Sequence, residues 1–414
     1  MAITLRGTKS ASGHVTGIPD TEFVLLTRNG SPDVMELLYV GDGNPTVSGT
    51  YEFSGTGGIE NPIVYGNMAY VCDDNGSSSK LWAFDLSNID SGVITLSGSH
   101  LVDDNPRYNT YTTDGTYVYI CTDNSYTNPQ VIQVWDVSDP INMSRIGSSP
   151  HHTTIDHATR LIFHPVNSNY LMAIKNNVGL LCNITNKAAP TNDYFWDSSL
   201  FTQWGYVWFD TKYDAEEGKG YLFASYREDG GYPGGIEVYD ITDPDPSTWT
   251  IVDDLEADGG EIGYDQFQIV GNMLYSHCWD HPSTYYVRIV DITDPTNINL
   301  VDSILTTATS NDQTFVQKDG GDPIFIIGYF DNGTTETYTV PINAYKFAGN
   351  LSHDAKVTVL DTEHYNVYRQ KSFPAGSYNF PATTDQKPFH VMAERDSDGA
   401  LLIYADVTPV PYSS

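Results

Sequence analysis

Positive charge is scarce in this chain. Only 20 Lys and Arg stand against 53 Asp and Glu in 414 residues, a formal net charge of -33. Phosphate contact needs clustered cations, so no nucleic-acid partner is expected. No apolar run is long enough to span a bilayer, which removes the expectation of membrane insertion by a helix. No basic, apolar and small-residue leader opens the sequence, so export is expected to use some other route. Cysteine is also sparse, with four in the chain. Cys72 and Cys121 follow Tyr-Val and Tyr-Ile in what read as successive repeats, so equivalent strands would hold them beyond bridging reach. Buried free thiols are the expectation.

Catalytic signatures are missing as well. There is no Gly-x-Ser-x-Gly elbow, no Gly-rich phosphate cradle ahead of a helix and no His-Glu-x-x-His. The chain therefore reads as not an enzyme. A glycosidase-like carboxylate pair is the one chemistry a sequence so rich in acids leaves open, because its spacing is set in three dimensions.

What the sequence has is a repeat. Trp135-Asp136-Val137-Ser138-Asp139-Pro140 returns as Tyr239-Asp240-Ile241-Thr242-Asp243-Pro244 and as Val290-Asp291-Ile292-Thr293-Asp294-Pro295. Looser copies are Phe84-Asp85-Leu86-Ser87 and Cys182-Asn183-Ile184-Thr185-Asn186, which puts the anchors at 85, 136, 183, 240 and 291. A period of about fifty marks stacked supersecondary units. Upstream of three anchors stands a turn-and-strand phrase: Gly66-Asn67-Met68-Ala69-Tyr70-Val71, Asp114-Gly115-Thr116-Tyr117-Val118-Tyr119-Ile120 and Gly271-Asn272-Met273-Leu274-Tyr275. Such turns supply positive φ, and the alternating β-branched and aromatic residues after them suit a pleated surface.

Each unit thus reads as an antiparallel meander. Asp and Ser/Thr side chains bond nearby amides in turns, and Pro cannot continue a central strand, so the Asp-x-Thr-Asp-Pro phrase marks where a strand leaves its sheet. Four strands per unit and no useful amphipathic helix predict an all-β chain, a seven-bladed β-propeller over 1–342 followed by a small Ig-like β-sandwich over 343–414. Residues 2–8 are expected to close the last blade, leaving no open edge.

Candidate sites are few. His151, His152, His157 and His164 form the densest histidine cluster, but their spacing fits no zinc pattern, so no metal centre is read there. Asp73-Asp74-Asn75-Gly76 and Asp123-Asn124 could offer oxygen ligands to calcium, without matching the twelve-residue loop; ordinary polar turns are the plainer reading. Aromatic residues bunch at 194–196, 204–209 and 226–232. Most are expected to pack blade on blade, with Trp196, Tyr232 and Trp279 the expected loop rings for a ligand such as a sugar.

The Val-Trp-Asp-Val-Ser-Asp-Pro, Val-Tyr-Asp-Ile-Thr-Asp-Pro and Ile-Val-Asp-Ile-Thr-Asp-Pro strings resemble the LVIVD-type propeller repeats of extracellular and surface proteins, over roughly residues 20–340. The opening Met1-Ala2-Ile3-Thr4-Leu5-Arg6-Gly7-Thr8-Lys9 resembles the start of tail and fibre proteins of tailed bacteriophages. The segment Asp354 to Asp361, Gly376-Ser377-Tyr378-Asn379-Phe380 and the closing Asp406-Val407-Thr408-Pro409-Val410 are similar to Ig-like or carboxypeptidase-regulatory-like modules that end phage virion proteins. These resemblances imply a structural or adhesion component of a phage tail or fibre. Its implied partners are other virion proteins and a host surface glycan or protein receptor, and it would be a homo-oligomer on a symmetric axis. The alternatives are an exported or cell-surface LVIVD-type binding protein and, further off, a glycan hydrolase.

Overall fold

A computed structural model describes residues 3–5, 13–18, 21, 23–28, 32–39, 46–54, 58–73, 78–102, 105–123, 131–150, 160–175, 178–196, 206–215, 217–226, 234–256, 262–270, 272–280, 284–306, 312–316, 324–328, 335–339, 345–351, 355–361, 367–373, 376–382, 389–395, 401–407 and 410–411. The chain divides into two compact units, one of Met1–Gln317 with Ile324–Tyr338 and one of Lys318–Pro323 with Thr339–Ser414.

The first unit is all β and has a β-propeller arrangement. Six four-stranded sheets are each built from consecutive antiparallel strands, beginning with β2 (Gly13–Gly17), β6 (Ile63–Tyr65), β10 (Asn105–Thr113), β14 (Arg160–Phe163), β18 (Tyr206–Asp214) and β22 (Ile262–Val270). A further four-stranded sheet has the order β1-β28-β27-β26, joining β1 (Ile3–Leu5) to β26 (Asp312–Val316), β27 (Ile324–Gly328) and β28 (Thr335–Thr339). β1 pairs antiparallel with β28, Ile3 opposite Thr337 and Leu5 opposite Thr335. First strands of successive sheets lie side by side, and β26 lies against both β22 and β2.

The anchor residues end the third strands: β8 (Lys80–Asp85), β12 (Val131–Asp136), β16 (Val178–Asn183), β20 (Gly235–Asp240) and β24 (Thr284–Asp291). In each, the anchor side chain accepts from the amide two residues on: Ser87 to Asp85 at 2.8 Å, Ser138 to Asp136 at 3.0 Å, Thr185 to Asn183 at 3.0 Å, Thr242 to Asp240 at 3.0 Å and Thr293 to Asp291 at 2.8 Å. The second acid repeats the device, with Asp139, Asp243 and Asp294 accepting from Ile141, Asp245 and Thr296. The hydrophobe between them ties the two sequence phrases together. Leu86, Val137, Ile184, Ile241 and Ile292 are buried, and their amides donate to the carbonyls of Asn67, Thr116, Asn169, Gly220 and Asn272, at or beside the preceding hairpin turn of the same sheet. One turn is thus pinned to the other by burial and a backbone bond.

Between the third and fourth strands a register shift falls at the same place in all six sheets, at Leu37/Leu38, Ala83/Phe84, Val134/Trp135, Leu181/Cys182, Val238/Tyr239 and Ile289/Val290. A bulge there adds twist. Beside it stand Gly49, Gly98 and Gly147, and a Cβ on any of them would come closer than 3.0 Å to a backbone oxygen of the next sheet's turn, at Gly92, Pro140 and Lys187 respectively. In the fifth sheet Asp253 takes that position and accepts from Ile298 N at 2.6 Å, a side-chain bond to the next turn instead of a close approach.

Cores lie between successive sheets. Tyr70, Cys72, Leu81 and Ala83 of the second sheet pack with Val118, Ile120 and Trp135 of the third, and Tyr221, Phe223, Ile236 and Val238 of the fifth pack with Tyr264, Leu274 and Val290 of the sixth. All four cysteines are buried thiols outside any disulfide, acting as small core residues.

The second unit holds a three-stranded sheet, β32-β29-β35, of Gly376–Ala382, Tyr345–Leu351 and Val410–Pro411. It also holds a four-stranded sheet, β31-β30-β33-β34, of Val367–Phe373, Ala355–Asp361, Phe389–Arg395 and Leu401–Val407.

Candidate functional site

Antiparallel meanders sort their connections by end. Turns between first and second strands, and between third and fourth, emerge at one end of a sheet; the other connections emerge at the opposite end. The first end carries the repeated turns described above. At the second end the strands open onto residues 151–159, 197–205, 227–233 and 281–283, which in sequence hold His151, His152, His157, Trp204 and Tyr232 and follow Trp279. Tyr232, His151, His152 and His157 are outside the described residues, as are Asp74, Asn75, Gly76 and Asn124.

The histidine cluster is divided by β14. His164 follows that strand at the end opposite to 149–159, so four imidazoles close in sequence do not form one group. His164 is buried, and its Nδ1 accepts from Asn167 N at 3.2 Å. Burial holds it below the ordinary histidine range, against an opposing pull from the Ile241 carbonyl and Asp243 of the next sheet. Asp73 is likewise a structural group. It is buried and accepts from Lys80 N at 2.7 Å and from the Trp82 indole at 3.0 Å. Among the described residues no three His, Cys, Asp or Glu side chains gather as metal ligands.

Trp196 is a core ring. It is only 4% exposed, packs at 5.1 Å between ring centroids on Trp249, and covers Gly179, where a Cβ would strike it. The expectation of a loop ring fails because Trp196 is the last residue of β17 (Thr191–Trp196), where the side chain still turns into the gap between sheets. Trp279 stands near the end of β23 (Met273–Asp280), opposite Gly263 and Tyr285.

The described residues beside those connections form a mixed charged and aromatic rim. Arg160 opens β14 directly after 149–159, stacks on Trp208 at 4.3 Å and donates from Nε to the Phe209 carbonyl at 3.1 Å. Asp210 sits next along β18; burial raises its carboxyl, while Arg160 and the amides of Thr211 and Ile269 pull it down. Sequence reasoning passed over Arg160 and Asp210. The scarcity of cations was the available signal, since each Arg in so acidic a chain needs a reason.

On the same sheet Tyr226 ends β19 (Lys219–Tyr226), fits against Gly235 and donates to Asp254 at 3.0 Å. Tyr239 donates to the buried Glu237. Asp254 is exposed as a residue, but its carboxyl lies against Tyr226; that burial, then Glu237, Glu256 and Asp253, push it up to about 6, against the Tyr226 bond. A carboxyl raised in the fold favours the folded state while protonated, and the advantage is lost as pH rises through about 6. Asp254→Asn keeps an acceptor for Tyr226 and removes the charge. It should raise the melting temperature slightly at pH 8 and leave it unchanged at pH 3, below the carboxyl's ordinary value of 3.8; an equal gain at both would refute the charge argument.

Comparison with solved structures places the chain among known folds. Hydrazine synthase of Kuenenia stuttgartiensis aligns with a TM-score of 0.53 at 13% identity, over 81% of this chain and 97% of that one. Sqt1 of Saccharomyces cerevisiae gives 0.51 at 9%, over 97% of each. A putative 6-phosphogluconolactonase of Bacteroides uniformis gives 0.51 at 11%, over 90% and 100%. At such identities the likeness is one of fold alone. No family model matches the sequence, and no curated protein matches it.

Proposed function

We propose that this protein is a binding and structural component of a bacteriophage particle, in its tail or fibres, whose propeller rim touches the host surface. In this reading the sheet of β1 and β26–β28 is the seventh blade of a closed ring, and the second unit is a small β-sandwich that docks to neighbouring virion subunits. The observation that carries the binding role is the sorting of connections. One end of the sheets is spent on repeated, internally bonded turns, while the connections rich in rings and imidazoles leave from the other, beside Arg160, Trp208 and Tyr226. Flat rings with polar neighbours suit sugars, which present apolar faces edged by hydroxyls. The virion assignment rests on the resemblances at the two ends of the sequence, and a net charge of -33 suits a surface exposed to bulk solvent.

Electron microscopy of particles from the source culture, labelled with an antibody against residues 345–414, tests the assignment. Label on tails or fibres is the expected result. Label on cell envelopes with none on particles would overturn it in favour of a cell-surface binding protein.

A further inference from the structure

The sixth sheet holds a buried positive charge with no acid paired to it among the described residues. Arg288, on β24, is 5% exposed. Its Nη1 donates to the Tyr264 hydroxyl at 3.2 Å and its guanidinium lies 5.2 Å from the Tyr264 ring centre, while its Nε has no partner among the described residues. A guanidinium keeps its charge inside proteins, and a buried charge left unanswered is costly. The cation–π contact offsets only a part of that cost.

Sister sheets show what normally stands here. Counting back three residues from each anchor gives Trp82, Gln133, Leu180, Glu237 and Arg288. Trp82 donates to Asp73 at 3.0 Å, Gln133 accepts from the Trp135 indole at 3.0 Å, and Glu237 accepts from Tyr239. In the third and fifth sheets the partner lies two residues on, on the same face of the strand. The sixth sheet puts Val290 there, which can neither bond the guanidinium nor fill the volume of a Trp or Tyr. Facing this layer from the fifth sheet is Trp208, whose indole nitrogen also lacks a partner among the described residues. The facing carboxylate, Asp210, is answered by Arg160 and by backbone amides.

We propose that a small monovalent anion of the halide class is bound between the fifth and sixth sheets, held by Arg288 and supplying the counter-charge that no described residue provides. The ion is structural, closing the layer behind the rim that carries Trp208.

Thermal unfolding of the full chain tests this, with chloride exchanged for gluconate at constant ionic strength. The wild-type melting temperature should climb by several degrees with chloride, following mass action, and Arg288→Met should show no chloride dependence. Equal melting in both salts for the wild type, or a chloride dependence that survives in Arg288→Met, would overturn the proposal. Should that variant not fold, bromide-soaked crystals of the wild type decide. An anomalous peak within hydrogen-bond distance of Arg288 sustains the site, and its absence removes it.

Discussion

Gly98→Val should lower the melting temperature by roughly 4 °C, about 3 kcal/mol for a body of this size. Local preference argues the other way. Gly98 lies in β9 (Thr95–Leu101), and a β-branched residue suits a strand better than glycine does. The sign is set by what lies across the gap. A Cβ at 98 would sit closer than 3.0 Å to the Pro140 carbonyl oxygen, in the turn of the third sheet that Asp136 and Asp139 hold with their own bonds. Neither side yields cheaply, because the strand is fixed by its pairing to β8 and the turn by its two carboxylates. Gly66→Ala is the control. Gly66 has φ of +55° with nothing within 4 Å of the added atom, so only backbone strain of about 1 kcal/mol is expected. Differential scanning calorimetry of the two variants separates packing from strain, and equal losses would show that the inter-sheet approach does not matter.

The same glycines show where the sequence was legible. Gly49, Gly98 and Gly147 recur at steps of 49, as regular as the Asp anchors, yet isolated glycines carry little signal until their neighbours across the gap are known. The anchors were readable because their chemistry is local: an acid bonding the amide two residues on leaves a phrase of fixed length, and the strand ends at 85, 136, 183, 240 and 291 follow from it.

Site residues lacked that advantage. An aromatic beside polar residues reads alike at a rim and between sheets, and Trp196 proved to belong between them, against Trp249. Arg288 is conspicuous only when the third strands are aligned on their anchors and its counterparts are seen to have partners. The histidines misled in another way. Nearness in sequence across a four-residue strand means opposite ends of a sheet.

Deleting residues 1–10 should cost the first unit about as much as Gly98→Val, by a different route. β1 contributes three residue pairs, Ile3 with Thr337, Thr4 with Glu336 and Leu5 with Thr335. At about 1 kcal/mol for each backbone hydrogen bond lost, the direct loss is about 3 kcal/mol, or roughly 4 °C. The indirect effect is larger for behaviour in solution. β28 would keep β27 on one side and present a bare edge on the other, and an unpaired edge recruits strands from other molecules. The truncated protein should therefore melt earlier and associate at concentrations where the full chain does not. A synthetic peptide of residues 1–10, added in excess, should restore part of both properties by pairing with β28 as an added strand. An unchanged melt in the truncated chain would mean that β1 decorates the sheet without holding it.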